Sequence, residues 1–578
     1  MSAPATGGPA GRRLPGAGMF AAAGTIAVIT LVARVVGFGR WFVFSHSVGA
    51  TCVGSVYQSV NAVPNVLFEI AAGGVLAAVA VPLVAGALAR GARHDADTTA
   101  SALLTWVVLV LVPLGLLVAL AARPIASALL GTGCAAEVDL GAELLVVFAA
   151  QVPLYGLAIV LAGVLQAHRR FVGPALAPLL SSLVVIATYL LYRALVADPA
   201  AEIPAVPGGA IAVLAGGTTL GVLALGVPLL VPVRRAGIRL RPRLRFPSGV
   251  GARVRTLAVA GLLAVAGQQV ATLVVIRLAN DRGGAGTLNV YTYAQAVMLL
   301  PYAVLAVPLA TAAFPSLAGA AGAARPAAGA EAVATLRRAW LATLVVGVAG
   351  VAGLVAVARP VGWFFANLDA GAQDDSTIDT LVSMGDAVTL FAPSVLGLAV
   401  IGLLTRASYV RGSAVLAGAL AAGGWLASAV IALLVLDPAG AGGPTTLRVL
   451  AASTSAGLLL GAVALAVLVA ASWGGRALAV PFRPLLATTV GAVVAGLAGR
   501  GVSGLLEIHG FGRSLGGSLV LGLAVGALAI VLMAGLALAV DPSLLRRLRR
   551  DRVGSGAGTA DPAPASAGST VVDGQDAP

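Results

Sequence analysis

The chain has 578 residues, 59% of them hydrophobic and 10% charged, with a mean hydropathy of +1.01. That composition excludes a soluble domain and describes a polytopic helical membrane protein. The formal charge of +14 comes from 36 basic residues, all arginine, gathered in alternate loops; this distribution is a topology signal and argues against nucleic acid as a partner. The missing lysine fits a GC-rich genome better than any function.

Residues 1–18 are polar and rich in Pro and Gly, and read as a cytoplasmic tail rather than a cleaved signal. Apolar runs then predict about fourteen transmembrane helices, near 19–45, 60–89, 100–122, 141–166, 174–195, 208–233, 255–279, 289–315, 339–365, 382–405, 413–436, 447–472, 481–503 and 515–540. The first carries Arg34-Val-Val-Gly-Phe-Gly-Arg40, and the second carries Asn61, Pro64-Asn65 and Glu69 before Gly73-Gly74 and Pro82. A charge at membrane depth costs about 3 kcal/mol on insertion scales, so it persists most easily beside a wet cavity, a partner charge or a substrate. These two helices are therefore expected to line the central cavity of a transporter.

The connecting segments alternate in charge. Arg90/Arg93, Arg169/Arg170, Arg234 to Arg255, Arg337/Arg338, Arg406/Arg411 and Arg546 to Arg552 mark one side; 46–59 holds no Arg, and 134–140, 196–207 and 366–380 are acidic. Both termini are expected in the cytoplasm, which needs an even number of spans. Pro64-Asn-Val-Leu leading to Pro82-Leu-Val-Ala-Gly-Ala is echoed by Pro301-Tyr-Ala-Val-Leu leading to Pro315-Ser-Leu-Ala-Gly-Ala. The repeat unit is six spans, so both copies share one orientation. The expected all-α architecture is two six-helix lobes, 19–233 and 255–472, around a central cavity. A basic cytoplasmic linker spans 234–254, two extra helices fill 473–540, and 541–578 forms a disordered cytoplasmic tail.

At these residues the sequence resembles the MurJ/MviN family, the lipid II flippases of the multidrug/oligosaccharidyl-lipid/polysaccharide exporter superfamily. Arg34 to Arg40 is similar to the family's Arg-x-x-Gly-Phe-x-Arg. Val63-Pro64-Asn65 with Gly74 and Val81-Pro82 is the second matching segment, and Leu165-Gln-Ala-His-Arg-Arg-Phe171-Val-Gly-Pro174-Ala-Leu-Ala-Pro178 the third. The resemblance implies fourteen spans, the bacterial cytoplasmic membrane, and a lipid-linked pyrophosphate glycolipid as cargo. The departures lie where the family carries charge: Phe68 and Glu69 follow Pro-Asn, Ser55 stands for an acidic residue, Gln295-Ala296 for an Asp-Arg pair, and Trp41 for an aspartate.

Arg34, Arg40, Asn65, Glu69, Tyr293 and Gln295 are the candidate substrate-binding residues. Arg presents a fork of donors that matches phosphate oxygens. Arg34 is placed in the cavity, while Arg40 is open between cavity and interface. Six positions apart on an ideal helix is a turn of about 240°, so the two share a face only if Gly37 and Gly39 bend the helix. Glu69 is expected to pair with Arg34 or Arg40, and Asn65 to satisfy the carbonyl freed by Pro64. Gln58, Asn61, Gln151, Gln268 and Gln269 read first as interhelical glue. His168, Arg169 and Arg170 sit at the cytoplasmic mouth, chiefly as topology determinants. Cys52 and Cys134 fall in outer loops where an oxidising exterior permits a disulfide; two free thiols are the expectation.

The residues imply no catalytic group, metal or cofactor. The function expected is a flippase carrying a lipid-linked cell-wall precursor from the inner to the outer leaflet by alternating access, driven by membrane potential or a coupling ion. Two alternatives stay open: a cation-coupled exporter of small solutes or drugs, and a transport-inactive scaffold for cell-wall synthesis proteins. Membrane lipids are partners in every case.

Overall fold

The computed structural model describes residues 15–70, 77–131, 133–246, 250–322, 328–373, 375–437, 441–510 and 514–540. The tail 541–578, Gly73, Gly74 and all but the last four residues of the 1–18 tail lie outside them. The described residues are helical, with no strand. The first helices are α1 (Pro15–Ser47), α2 (Cys52–Glu69), α3 (Ala77–Ala89), α4 (Arg93–Leu120), α5 (Ala122–Leu129), α6 (Glu137–Phe148), α7 (Gln151–Ala167), α8 (Val172–Leu195), α9 (Gly208–Gly226) and α10 (Leu230–Arg235). After the linker come α11 (Val250–Gly283), α12 (Thr287–Pro301), α13 (Val307–Gly322), α14 (Ala328–Leu368), α15 (Asp375–Val410), α16 (Ala414–Val435), α17 (Gly442–Trp473), α18 (Phe482–Ile508) and α19 (Leu515–Val540).

Twelve of the helical segments are long and apolar enough to cross a membrane. Two of the fourteen expected spans, 60–89 and 255–279, are not in that set. The first is divided between α2 and α3 around 71–76, and in the second, α11, the side chains of 250–264 are outside the described residues. The expected loop 46–59 is mostly helix. Thr51 caps α2, its side chain accepting from the Gly54 N–H at 3.0 Å. In the next turns Ser55 and Ser59 donate their hydroxyls to the carbonyls of Thr51 (2.9 Å) and Ser55 (2.7 Å) four residues back, which satisfies these buried polar side chains within the helix. Hydropathy cannot register such a segment.

The helices sort into two groups. In the first, α1 packs on α8, α2 on α6 and α7, α4 on α7, and α8 on α9; in the second, α14, α16 and α17 surround α15 and α11 packs on α16. Helices α18 and α19 pack on each other and on α14. The groups meet where α2 touches α11 and α12, and α1 touches α14. The repeat in sequence has a structural echo: a π-turn follows α2 at Ile70, and another, Tyr302–Ala306, follows α12. Linker residues 236–246 do not hang free. Their backbone lies along α4: Ser101 Oγ accepts from Arg241 N–H (3.1 Å), Thr105 Oγ1 from Arg243 N–H (3.0 Å), and Trp106 Nε1–H donates to the Leu244 carbonyl (2.9 Å).

Candidate functional site: a polar cavity closed at one end

A cavity of about 460 Å³ lies between the two helix groups. Arg40, Gln58, Asn61, Asn65 and Glu69 enter it from α1 and α2, Gln268 and Gln269 from α11, and Gln295 from α12. Tyr155, Tyr189, Tyr291, Trp41 and Trp425 supply aromatic wall. Arg40 and Glu69 are the only charged groups among its described lining residues. The Arg40 guanidinium lies 5.7 Å from the Trp41 ring centroid. A guanidinium needs a polar or π surface at this depth, and the aromatic face supplies one without neutralising it. Tyr57, also in the wall, contacts Tyr189 and Thr218 through its hydroxyl at 3.0 Å each.

Asn65 does not take up the Val60 carbonyl that Pro64 leaves without its helical donor. Its Nδ2 donates to the Asn61 carbonyl at 2.7 Å, and its Oδ1 accepts from the Tyr155 hydroxyl at 2.9 Å. Phe68, where the resemblance called for a basic residue, packs on Tyr155 with ring centroids 4.4 Å apart. Asn61 also lines the cavity, and its side-chain oxygen is buried without a hydrogen-bond partner among the described residues.

The structure separates the sequence candidates. Arg40, Asn65, Glu69 and Gln295 converge on the cavity. Arg34 is exposed on the outer face of α1, beside exposed Leu31 and Val35. Helix α1 runs unbroken from Pro15 to Ser47, so the 240° between the two arginines is preserved and only Arg40 turns inward. Glu69 is exposed, and no ion pair joins it to either arginine among the described residues. Tyr293 is fully buried and does not line the cavity; its ring stacks on Phe365 at 4.9 Å. His168, Arg169 and Arg170 are not among the cavity's lining residues; His168 Nδ1 contacts the Val164 carbonyl at 2.9 Å, and Arg169 and Arg170 are exposed. Gln151 is buried and donates to Thr219 Oγ1 at 3.2 Å, the glue role expected of it.

Sequence reading missed the closed end. Asp369, in the turn after α14, accepts from Ser45 Oγ and the Ala50 N–H at 2.6 Å each and from the Gly371 N–H at 2.8 Å. Ser45 and Ala50 belong to the first helix group, so one carboxylate ties the groups together. Nearby, Asn289 Nδ2 donates to the Gly49 carbonyl (2.6 Å), Ser55 Oγ accepts from the Gly286 N–H (2.6 Å), and Asn280 Nδ2 donates to Ser59 Oγ (2.7 Å) and the Leu129 carbonyl (2.9 Å). Burial pushes the Asp369 carboxyl pKa up, against the lowering pull of its bonds from Ala50, Ser45 and Gly371. Asn289, a polar residue at the start of a predicted span, was a usable signal; Asn280, beside Asp281 and Arg282, was not, and Asp369 was one acid among several in its loop.

Cys52 and Cys134 form a disulfide beside this seal, with Cα atoms 6.0 Å apart, correcting the expectation of two free thiols. Helix α2 packs on α6, which brings the N-terminus of α2 against the loop before α6.

A second, apolar groove runs between α1, α12, α14 and α19, lined by Phe38, Phe42, Leu300, Phe364, Leu519 and Leu523 among others. Helices of membrane-spanning length around a polar cavity sealed at one end define a multi-pass membrane transporter. The model of the lipid II flippase MurJ family matches residues 44–529, and the chain belongs to that family. It is 29% identical over 308 residues to lipid II flippase MurJ of Burkholderia cenocepacia, covering 52% of this chain and 57% of that one. It is 26% identical over 300 residues to the probable lipid II flippase MurJ of Rhizobium tropici, covering 51% and 54%. The matches thus span little more than half the length of these curated relatives. A solved lipid II flippase MurJ in an inward closed conformation superposes with a TM-score of 0.70 at 16% identity, covering 90% of this chain and 99% of that one. An inward-facing MATE-family multidrug transporter gives 0.60 at 15% identity, covering 78% and 98%. Both likenesses show the fold.

Proposed function

We propose that this protein carries a lipid-linked cell-wall precursor, of the undecaprenyl-pyrophosphate-linked lipid II type, from the inner to the outer leaflet of the bacterial cytoplasmic membrane. The observation that carries the reading is the cavity. Arg40 stands among amides, hydroxyls and aromatic faces, with Glu69 the one other charged group of the described lining. Arg40 grips phosphate oxygens through its planar fork, and the amides read the hydroxyl-rich headgroup. The apolar groove along α1 and α14 offers a path for a hydrocarbon tail beside the cavity.

The cycle is alternating access between lobes 19–233 and 255–472. The seal around Asp369 closes the outer end while the headgroup enters from the other. Parting it exposes the headgroup outside. No bond is made or broken, so the protein acts as a transporter without catalysis. Both termini are cytoplasmic in this reading, in keeping with the arginine-rich loops at one end and the disulfide at the other.

The test is lipid II translocation in cells depleted of their own flippase, with wild type, Arg40→Ala and Arg34→Ala measured at matched membrane levels. Rescue by wild type and its loss in Arg40→Ala supports the reading. A well-expressed wild type that restores nothing overturns it and turns attention to small-solute export or a scaffold role.

A further inference from the structure

Away from the central cavity, charged residues gather at the end of the bundle where α14 stops and α15 begins. Asp386 holds two guanidinium groups: Arg448 Nη2 at 3.0 Å and Arg500 Nη2 at 3.3 Å. Arg500 also donates to Thr389 Oγ1 at 2.9 Å, which fixes α18 to α15. Arg359 differs. Its nearest carboxylate is Glu507 at 3.8 Å, and its guanidinium makes no hydrogen bond among the described residues. It remains 42% exposed and forms a wall of two adjoining cavities of about 380 and 780 Å³. Gly504 makes room for it: a Cβ there would lie 2.5 Å from Arg359 Nη1. Asp379, exposed on the same face of α15 as Asp386, lines the smaller cavity and forms no ion pair within it. Trp363, one turn after Arg359 on α14, completes the wall.

The cleft lies at the ends of its helices: Pro444 is in the first turn of α17, Asp379 in the second turn of α15 and Glu507 in the last turn of α18, with Arg359 about 14 Å before the end of α14. The cleft therefore combines a guanidinium held only by a 3.8 Å ion pair, a carboxylate with no ion pair among the described residues and an indole in one pocket toward the end of the bundle. Balanced charge makes it a poor trap for a simple anion. A phosphate with an ammonium two carbons away matches both poles. We propose that this cleft binds the headgroup of an aminophospholipid of the phosphatidylethanolamine type, with its phosphate on Arg359 and its ammonium on Asp379 against Trp363. The primary ammonium can donate hydrogen bonds to the carboxylate, whereas a quaternary one cannot. The site is separate from the transport cavity and clamps α18 to the second helix group through lipid.

Native mass spectrometry of the purified full chain tests this, with phosphatidylethanolamine, phosphatidylglycerol and phosphatidylcholine supplied at equal mole fractions. The wild type is expected to retain phosphatidylethanolamine in preference to both others. Arg359→Gln and, independently, Asp379→Asn are each expected to reduce that retention roughly tenfold, the size of one lost charge-assisted hydrogen bond. Asp379 is exposed, so its variant keeps the fold. Equal retention of the three lipids, a preference for phosphatidylglycerol, or retention unchanged in Asp379→Asn overturns the proposal. Phosphatidylglycerol preference that survives Asp379→Asn and falls in Arg359→Gln identifies an anionic-lipid site instead.

Discussion

Ser45 and Asp369, 324 positions apart in the chain, share a hydrogen bond of 2.6 Å that joins the two helix groups at the closed end of the cavity. The Ala370 N–H donates back to the Ser45 carbonyl at 2.8 Å, so the contact is reciprocal. Asp369→Ala removes the acceptor for three donors at once and leaves them buried. Loss of one hydrogen bond to a charged group costs about 1.5–3 kcal/mol, so the closed state should lose roughly ten- to a hundredfold in population. Labelling of a cysteine introduced near Gln58 by a membrane-impermeant reagent from the outside should rise accordingly, measured in a Cys52/Cys134-free background.

The same carboxyl gives a pH dependence. Its pKa in the closed state is raised, so the closed state holds its proton over a range where the open or unfolded chain has lost it. The stabilisation is complete below the ordinary carboxylate pKa and disappears as pH rises through the raised value. Closed-state occupancy, followed by spin-label distances across the seal, should fall as pH is raised through that window and then level off. Asp369→Asn should flatten the profile.

Gly49 is the backbone counterpart of this seal. It has φ +71°, and a Cβ would meet Asp369 Oδ1 at 2.6 Å and the Gly371 nitrogen at 2.8 Å. Gly49→Ala combines about 1 kcal/mol or more of left-handed strain with that collision. The expected result is a lowered melting temperature and greater accessibility of the outer end, whereas Gly353→Ala, with nothing within 4 Å of its Cβ, should leave both unchanged.

The disulfide closes a separation of 82 residues. On a loop-entropy model a closure of that size stabilises by about 4 kcal/mol. Non-reducing mass spectrometry should find both cysteines protected from alkylation. Cys52→Ser and Cys134→Ser should each lower the melting temperature by similar amounts, with no further drop in the double variant.

Arg40→Gln should cut translocation at least tenfold, the loss of a bidentate phosphate contact, while Arg34→Gln leaves most of it. Initial rates in membrane vesicles at matched expression measure the difference. Equal losses would place Arg34 in the substrate path despite its exposed position.

Much of this molecule was legible in its chain. Stretches of some twenty apolar residues have one stable state in a bilayer, because only a helix satisfies its own backbone there. That fixed the all-α class and most of the helices, with the residues around Pro64 and the Arg34–Arg40 segment marking the interior. The spacing of Arg34 and Arg40 showed that an unbent α1 cannot turn both inward; which of them lines the cavity was decided by how α1 packs. Other features depended on long-range geometry. Residues 52–59, expected in a loop, are helix with the Ser55 and Ser59 hydroxyls satisfied on their own turn, and Cys52 met Cys134 because α2 packs on α6. Asp369 became a clasp because a turn between α14 and α15 abuts one between α1 and α2. Local periodicity reports how a segment shields its backbone; which distant segments share a hydrogen bond is decided only when the helices pack.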